Sequence, residues 1–229
     1  FYHPDPTVKR QSGFLSPFFT DSTNVGTGFG LPYFWAIAND RDLTFTPKLY
    51  ANENVLLLNE YRQAFRDSNL HFDFGYTQGY KNSSALKKLG DKSHFFSRFV
   101  KKFQHNDTKE SNLEINLQEV SNKKYLKLYR IKSNLVDNYE ISTLENYVNY
   151  NYFDDEQDLF LDLRASIYTN LSDTYNDKYE YILPEINLNK ILYSDKFGSG
   201  SFNTNIKIHN YDTNKYENFF VNDFNWTYD

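Results

Sequence analysis

His71 and Asp73 stand two positions apart in this chain, and Ser68 precedes the histidine by three residues. A serine, a histidine and a carboxylate are the residue types of a hydrolytic triad, in which the histidine accepts the proton of the serine. Residues two apart on an extended strand lie on the same face, however, and a shared face alone makes no triad. We therefore interpret His71 and Asp73 as a solvated polar pair on a strand and predict no catalysis.

The other residues that could carry chemistry are scattered. None of the five histidines stands four residues from another, so the spacing of two zinc ligands on one helix is missing. Gly26, Gly28 and Gly30 lack the strand-then-helix setting of a phosphate-binding loop and are typical of glycines in a strand near a turn. The chain contains no cysteine, which excludes disulfides and thiolate metal sites within it. We predict no metal site and no cofactor.

The pattern around these residues predicts that β-strands position them. Leu70, Phe72 and Phe74 alternate with His71 and Asp73, which is the period of two that separates the faces of a strand. The same pattern recurs along the chain and predicts about twelve antiparallel strands. The polar candidates on these strands are His71, Asp73, Glu114, Asn116, Asp162 and Arg164.

Three prolines stand in the opening strands. Pro17, Pro32 and Pro47 each lie inside a run that otherwise has the composition of a continuous strand. Proline has no backbone N–H, so each one removes a hydrogen bond from the ladder between strands. Prolines of this kind belong at sheet edges, at bulges or where pairing is weak. The sequence therefore predicts weakened pairing among the first strands.

Composition favours strands and argues against several classes of protein. Aromatic residues make up 19% of the chain, yet the mean hydropathy is -0.73, so large rings are interleaved with polar residues. Such interleaving is typical of strands. A formal net charge of -5 argues against a nucleic-acid partner. No window approaches the roughly 18 consecutive apolar residues of a transmembrane helix, whereas transmembrane strands need only short alternating segments.

Two architectures fit this alternation: a soluble β-sandwich with an apolar interior, and an outer-membrane barrel with an apolar exterior. Long links are predicted at residues 81–92 and 121–138. Short turns, expected on the periplasmic side, are predicted at residues 39–42, 66–69 and 153–157. This alternation of link length favours the barrel. A soluble all-β binding module and a generic outer-membrane channel or barrel enzyme remain as alternatives.

Two further expectations concern the ends of the strands. Aromatic residues there fit a girdle at the interface between membrane and water; they are Tyr50, Tyr76, Tyr80, Tyr152, Tyr168 and Tyr228. The long link at residues 121–138 is expected to be a solvated loop or to meet lipid phosphates, because it carries the basic residues Lys123, Lys124, Lys127, Arg130 and Lys132.

Two blocks near the start of the chain carry a resemblance to a known family. The first reads HPDPTVKRQSGFLSPFF and the second reads GFGLPYFWAIANDRDLTFTP. Together they resemble the opening of the barrel in the LptD family, also called OstA or organic solvent tolerance protein, whose members assemble lipopolysaccharide at the outer membrane. A looser similarity covers residues 118–131. The family signature comprises Arg10, Ser12, Gly13, Phe14, Tyr33, Trp35, Asp42, Thr46 and Pro47.

The resemblance implies an all-β fold, namely an antiparallel transmembrane β-barrel segment of about 12 strands within a barrel of about 26 strands. Residues 1–229 would form a single unit, the N-terminal half of that barrel, with residues 1–12 as the link from a preceding periplasmic jelly roll. The polar candidates on the strands would then face the lumen.

The function implied by the resemblance is transport and assembly of lipopolysaccharide in the outer membrane of a Gram-negative bacterium, without enzymatic activity. The implied partners are lipopolysaccharide, an LptE-type lipoprotein plug, a periplasmic lipopolysaccharide bridge protein and outer-membrane lipid. The resemblance also places Pro17 and Pro32 where the first strand of the barrel meets its last. It therefore implies that these two prolines weaken a lateral gate through which the lipid leaves.

Overall fold

The computed structural model describes residues 10–83, 88–136, 138–172, 180–211 and 215–228. These ranges form strands that belong to one antiparallel sheet, together with one short helix, so the all-β prediction is confirmed. Within them, no helix has the length and apolar character needed to cross a membrane. The elements are β1 (Gly13–Phe14), β2 (Phe18–Thr20), β3 (Gly28–Gly30), β4 (Tyr33–Ala38), β5 (Arg41–Tyr50), β6 (Leu56–Ala64), β7 (Ser68–Gly79), β8 (Leu89–Gln104), β9 (Lys109–Val120), α1 (Tyr125–Tyr129), β10 (Thr143–Asp154), β11 (Leu159–Asn170), β12 (Glu180–Ser194), β13 (Gly198–Tyr211) and β14 (Lys215–Thr227).

The structure has fourteen strand segments, whereas the sequence predicts about twelve strands, and the strand order explains the difference. β1 pairs with β4, β2 pairs with β3, and both β3 and β4 pair with β5. The segments β1 and β2 are therefore two parts of the first strand, and β3 and β4 are two parts of the second. From β5 to β14 each strand pairs with the next one along the chain.

The interruptions of the first two strands coincide with prolines. Pro17 lies between β1 and β2, and Pro32 lies between β3 and β4. These interruptions agree with the predicted weak pairing among the first strands, because a proline supplies no N–H to the ladder. Backbone hydrogen bonds remain at these breaks: the N–H of Leu15 donates to the carbonyl of Pro32 at 2.9 Å, and the N–H of Leu31 donates to the carbonyl of Pro47 at 3.3 Å. Pro47, by contrast, lies inside β5.

Backbone contacts divide the chain into two compact units, each of which is described by itself. The first comprises Phe1–Phe65, Leu70–Phe96 and Glu119–Glu140. The second comprises Arg66–Asn69, Ser97–Gln118 and Ile141–Asp229.

In the first unit the buried face of the sheet is polar and the exposed face is apolar. On β5, Asp42 and Lys48 are 2% and 5% exposed, whereas Leu49 is 51% exposed. On β7, Asp73 is buried and the next residue, Phe74, is exposed. A sheet in water buries its apolar face, because burial of apolar surface drives folding. The arrangement in this unit is the inverse of a soluble sheet.

In the second unit the strand register keeps the two kinds of side chain on separate faces. Asn149 of β10 pairs with Arg164 of β11, and the neighbouring Val148 pairs with Ala165. Directly opposed residues point to the same face of a sheet, so the polar pair and the apolar pair lie on opposite faces. The polar row continues across β12 and β13 through the opposed pair Asn187 and Asn205.

Shorter and longer links alternate along the sheet as far as β13. The links after β4, β6, β8, β10 and β12 contain two to four residues, while the links between them include one of 22 residues, from 121 to 142. The short links coincide within about two residues with the three predicted turns. Residues 84–87 of the long link predicted at 81–92 lie outside the described residues, and β8 already begins at Leu89.

Candidate functional site

The long link between β9 and β10 folds onto the polar face of the first unit. Its helix α1 buries Tyr125, Leu126, Leu128 and Tyr129 and leaves Lys127 exposed. The link therefore differs from the expected solvated loop, because the apolar residues of its helix are buried, while the basic residues Lys127, Arg130 and Lys132 stay exposed. We call residues 125–134 the inner segment.

A buried row of three polar side chains fixes the inner segment to the sheet. Nδ1 of His94 lies 3.2 Å from the hydroxyl of Tyr125, and Nε2 of His94 lies 3.2 Å from Oδ1 of Asp73. The His94 side chain has no exposed surface, and its ring stacks on Phe96 with centroids 4.7 Å apart. Both nitrogens of the imidazole thus have a partner, as burial of a polar group requires.

Gly75 makes this close approach possible. A Cβ atom at position 75 would lie 2.4 Å from Cε1 of His94 and 2.7 Å from the Tyr125 hydroxyl. Any other residue would displace either the imidazole or the phenol. The glycine is therefore needed where the inner segment meets β7.

Tyrosine rings pack the rest of the inner segment against the sheet. Tyr129 stacks on Tyr80 with centroids 5.3 Å apart and contacts Tyr50 at 5.8 Å. Tyr50 and Tyr80 are 8% and 3% exposed, so their predicted place in an interfacial girdle is wrong. Burial raises the pKa of Tyr125 and of Tyr129 above the ordinary tyrosine value, and both phenols are uncharged at neutral pH.

Polar contacts hold the far end of the inner segment. Arg130 donates to the backbone carbonyl of Asp21 at 2.9 Å, and the amide of Asn134 donates to Oε1 of Glu60 at 3.1 Å. Nε2 of His71 lies 2.9 Å from the same Oε1 of Glu60. His71 and Asp73 share a face, as predicted, but each has a different partner across the sheet.

Two signature residues of the opening blocks, Arg10 and Asp42, form an ion pair in which the carboxylate is buried. Asp42 forms ion pairs with Arg10 and with Arg62, the latter at 2.9 Å. The Arg10 guanidinium also lies 5.5 Å from the centre of the Phe34 ring. Arg62 was absent from the predicted set, since only the register of β5 and β6 places it opposite Asp42.

The remaining signature residues lie in or beside the neighbouring strands β1, β4 and β5. Ser12 accepts a hydrogen bond from the N–H of Ala36 at 3.0 Å. Phe14 packs edge-on against Tyr33 at 5.1 Å. Opposed backbone pairs place the others: Gly13 with Phe34, Trp35 with Leu43, Thr46 with Leu58 and Pro47 with Leu57.

In the second unit, a charged network connects three of the four polar candidates. Glu114 accepts hydrogen bonds from Arg98 at 2.8 Å and from the Tyr147 hydroxyl at 2.5 Å. Arg164 lies over the Tyr147 ring at 3.9 Å and donates to Glu145 at 2.7 Å.

Asn116 joins this network through its amide, which donates to the backbone carbonyl of Glu145 at 2.7 Å. Asp162 stands apart and accepts a hydrogen bond from Asn187 at 3.2 Å. Tyr147 and Glu145 were not among the predicted residues, because the pattern of their strand indicates only which of its residues are apolar. The described part of the chain holds no cluster of three or more potential metal ligands.

A sheet with a buried polar face, an exposed apolar face and alternately short and long links has the pattern of a wall segment of a transmembrane β-barrel. No protein-family model matches the chain. Curated relatives do match it. They include the LPS-assembly protein LptD of Shewanella oneidensis, 27% identical over 198 residues that cover 82% of this chain and 24% of the relative.

Two further relatives have the same name. LptD of Cupriavidus pinatubonensis is 34% identical over 122 residues, which cover 52% of this chain and 14% of the relative. LptD of Shewanella frigidimarina is 42% identical over 65 residues, covering 27% and 8% respectively. The chain thus spans no more than 24% of the length of these relatives. The chain is therefore similar to LPS-assembly proteins named LptD over most of its length.

The row Asp73–His94–Tyr125 predicts how firmly the inner segment is held. Replacing Tyr125 with Phe keeps the ring but leaves Nδ1 of His94 without its partner, at a cost of about 1 kcal/mol. The segment should then open about fivefold more often. Trypsin cleavage after the exposed Lys127 and Arg130 in the full-length protein measures this opening. The matched control Tyr139→Phe, in the same link, should be cleaved at the parental rate. Equal rates for Tyr125→Phe and the parent would show that the row does not hold the segment.

Proposed function

We propose that this chain forms part of the wall of an outer-membrane barrel that delivers lipopolysaccharide to the outer leaflet of a Gram-negative bacterium. The inverted burial of the first unit carries the proposal, since an exposed apolar face suits lipid and a polar face suits a wet interior. The name of the relatives, LPS-assembly protein, supports lipopolysaccharide as the cargo.

The chemistry of the cargo explains why such a wall would suit it. Lipopolysaccharide joins a polar saccharide to acyl chains, so a polar lumen accommodates one part and the membrane the other. The lumen-facing set would be His71, Asp73, Glu114, Asn116, Asp162 and Arg164. All six have polar partners in the sheet, which leaves the interior lined with hydrogen-bonding groups and without catalytic chemistry.

Lateral release requires a place where the wall can part. In hydrocarbon each unpaired backbone group costs several kcal/mol, which keeps a barrel closed. The first strand is an exception, because its parts β1 and β2 have only two and three paired residues. Pro17 lies between β1 and β2, and Pro32 lies between β3 and β4. Because proline has no backbone N–H, opening the wall there leaves no proline donor without a hydrogen bond. We infer that they lower the cost of opening a lateral gate.

The partners and the location follow from the same proposal. The described residues would be the N-terminal half of the barrel, reached from a periplasmic jelly roll through residues 1–12, of which residues 1–9 lie outside the described ranges. An LptE-type lipoprotein would occupy the lumen beside the inner segment, and a periplasmic bridge protein would supply the lipid. The short links would face the periplasm and the long links the cell surface.

The barrel-enzyme alternative has less support than transport, because its candidate residues have separate partners. Asp73 pairs with His94, whereas His71 lies against Glu60, so these two candidates do not act on a common atom. A barrel hydrolase would need its base within hydrogen-bonding distance of both the nucleophile and the orienting carboxylate. We therefore propose transport without catalysis.

Controlled depletion of the full-length protein tests the proposed cargo. Newly made lipopolysaccharide should stop reaching the cell surface and accumulate in the inner membrane as the protein is depleted. Surface labelling of the saccharide after a metabolic pulse measures this arrival. Depletion of an unrelated outer-membrane barrel is the control for general envelope damage. Arrival at the normal rate in depleted cells would contradict the proposal.

The gate role predicts the effect of restoring backbone donors at the interruptions. The double variant Pro17→Ala, Pro32→Ala should strengthen pairing at the seam between the first and last strands of the barrel and slow the arrival of lipopolysaccharide at the surface several-fold. Its barrel should still assemble, as judged by heat-modifiable mobility in gels. Pro47→Ala, inside β5, is the matched control and should export normally. A double variant that assembles and exports at the parental rate would exclude the gate role.

A further inference from the structure

A polar cleft crosses strands β11 to β14 within the second unit. Its volume is 300 Å³, about ten times the roughly 30 Å³ that one water molecule occupies in the liquid. This volume stands at the lower end of the size range of small-molecule sites, about 300–1,000 Å³. The cleft therefore has room for one sugar-sized ring. The polar face of the sheet contributes Phe160, Asn187, Asn189, Asn203, Asn205 and Asp223 to its lining.

Strand register brings the four asparagines of the cleft together. Asn187 of β12 is directly opposed to Asn205 of β13, and Asn189 is opposed to Asn203. Opposed residues share a face, and so do residues two apart on one strand, so all four amides lie on the same face. The amide of Asn205 donates to Asn187, and the amide of Asn189 donates to Asn203. We call these four residues the amide row.

The amide row keeps hydrogen-bonding capacity that the sheet does not use. An asparagine amide has two N–H donors and two acceptor positions. Among the described residues, Asn203 takes part in side-chain hydrogen bonds only as an acceptor, and Asn205 only as a donor. Asp223 of β14, opposed to Asn203, has no side-chain partner within the same ranges. The cleft therefore offers both donors and acceptors to a ligand.

An aromatic ring borders the amide row on this polar face. Phe160 of β11 is directly opposed to Asn189 and so points to the same face. Its ring packs against Phe153 with centroids 4.8 Å apart. Phe160 is half-buried and lines the cleft, so part of its side chain remains accessible. A ring beside amides and a carboxylate suits a sugar, because the C–H groups of a sugar pack on an aromatic face while its hydroxyls need donors and acceptors.

The charge of the cleft favours a neutral ligand. Asp223 lines it, and Asp162 accepts a hydrogen bond from the lining residue Asn187 at 3.2 Å. None of the described residues that line the cleft is basic. Lys207 of β13 lies on the same face, but it is directly opposed to Glu185. A phosphate here would meet negative charge without a cation in the lining, whereas a sugar hydroxyl can donate to a carboxylate.

We propose that this cleft binds a neutral hexose unit, with the sugar ring packed on Phe160 and its hydroxyls hydrogen-bonded to the amide row and Asp223. The inference rests on the proposed function, since the saccharide of lipopolysaccharide in the lumen would supply the hexose. It adds a selectivity between sugar units: those without a charged substituent bind the cleft, and phosphorylated ones do not. Phe160 follows the short link 155–158, so the site lies near the end of the sheet that the proposed orientation assigns to the periplasm.

Saturation-transfer NMR of the purified full-length protein, with any protein partner that copurifies, measures the binding of glucose. The detergent carries no sugar headgroup, because such a headgroup would compete. Asn203→Ala should weaken glucose binding by about fivefold, the effect of one lost hydrogen bond. Phe160→Leu should weaken it by a similar factor, because the packing surface for the sugar ring is lost.

Asn222→Ala is the matched control. Asn222 stands next to Asp223 on β14 and points to the opposite face of the sheet, so this variant should bind glucose as the parent does. Heat-modifiable mobility reports whether each variant is folded. Absence of glucose binding, or binding that the folded variants Asn203→Ala and Phe160→Leu leave unchanged, would overturn the site. Binding that appears only after a copurifying protein is removed would assign the cleft to that protein instead.

Glucose 6-phosphate tests the selectivity. It should bind at least about fivefold more weakly than glucose, because its phosphate meets the charges of Asp223 and Asp162. Equal or tighter binding of glucose 6-phosphate would overturn the assignment of a neutral ligand.

The binding experiment and the depletion experiment fail independently. If depletion leaves lipopolysaccharide arrival unchanged while glucose binds as expected, the proposed cargo is wrong and the cleft is a hexose site supplied from another source. If depletion stops arrival while glucose does not bind, the hexose site is wrong and the proposed cargo stands.

Discussion

The alternation of polar and apolar side chains along each strand is the constraint on which the rest of the structure depends. A strand has a period of two, so every second residue must suit the same surroundings. Here one set consists of charged and amide side chains, such as Asp42 and Lys48, and the other of residues such as Phe45 and Leu49. The polar set is the buried one. The proposed position in the wall of a barrel, with lipid outside and water inside, would satisfy both sets at once.

Burial of the polar set creates a second requirement, because buried polar groups need partners. In the first unit the inner segment supplies several of them: the Tyr125 hydroxyl meets His94, and the Asn134 amide meets Glu60. In the second unit the sheet supplies its own, through the contacts of Glu114 with Arg98 and Tyr147. The inner segment thus supplies hydrogen-bond partners to buried polar side chains of the sheet. Its buried tyrosines also explain why a link so rich in lysine does not remain in solvent.

Much of this architecture could be predicted from the sequence, since strand faces depend on local alternation. The polar faces around Asp73 and Arg164, the number of strand positions and the weak pairing near Pro17 all follow from residue type and spacing. Helix α1 could not be predicted, because its five residues become helical against a surface formed by distant strands. Arg62 likewise acquires its role from strand register. Tyr50 and Tyr80 show that a tyrosine at a strand end can be buried when another ring, here that of Tyr129, packs against it.

The central claim is that the apolar face meets lipid and the polar face meets water. The adjacent residues Thr44 and Phe45 of β5 test it most directly, because their side chains point to opposite faces. Nitroxide labels placed at each position of the full-length protein in lipid vesicles report collisions with oxygen, which concentrates in lipid, and with a water-soluble nickel chelate. We expect the label at position 45 to be accessible to oxygen and shielded from nickel, and the label at position 44 to show higher nickel access. Equal accessibilities at the two positions, or nickel access at position 45, would contradict it.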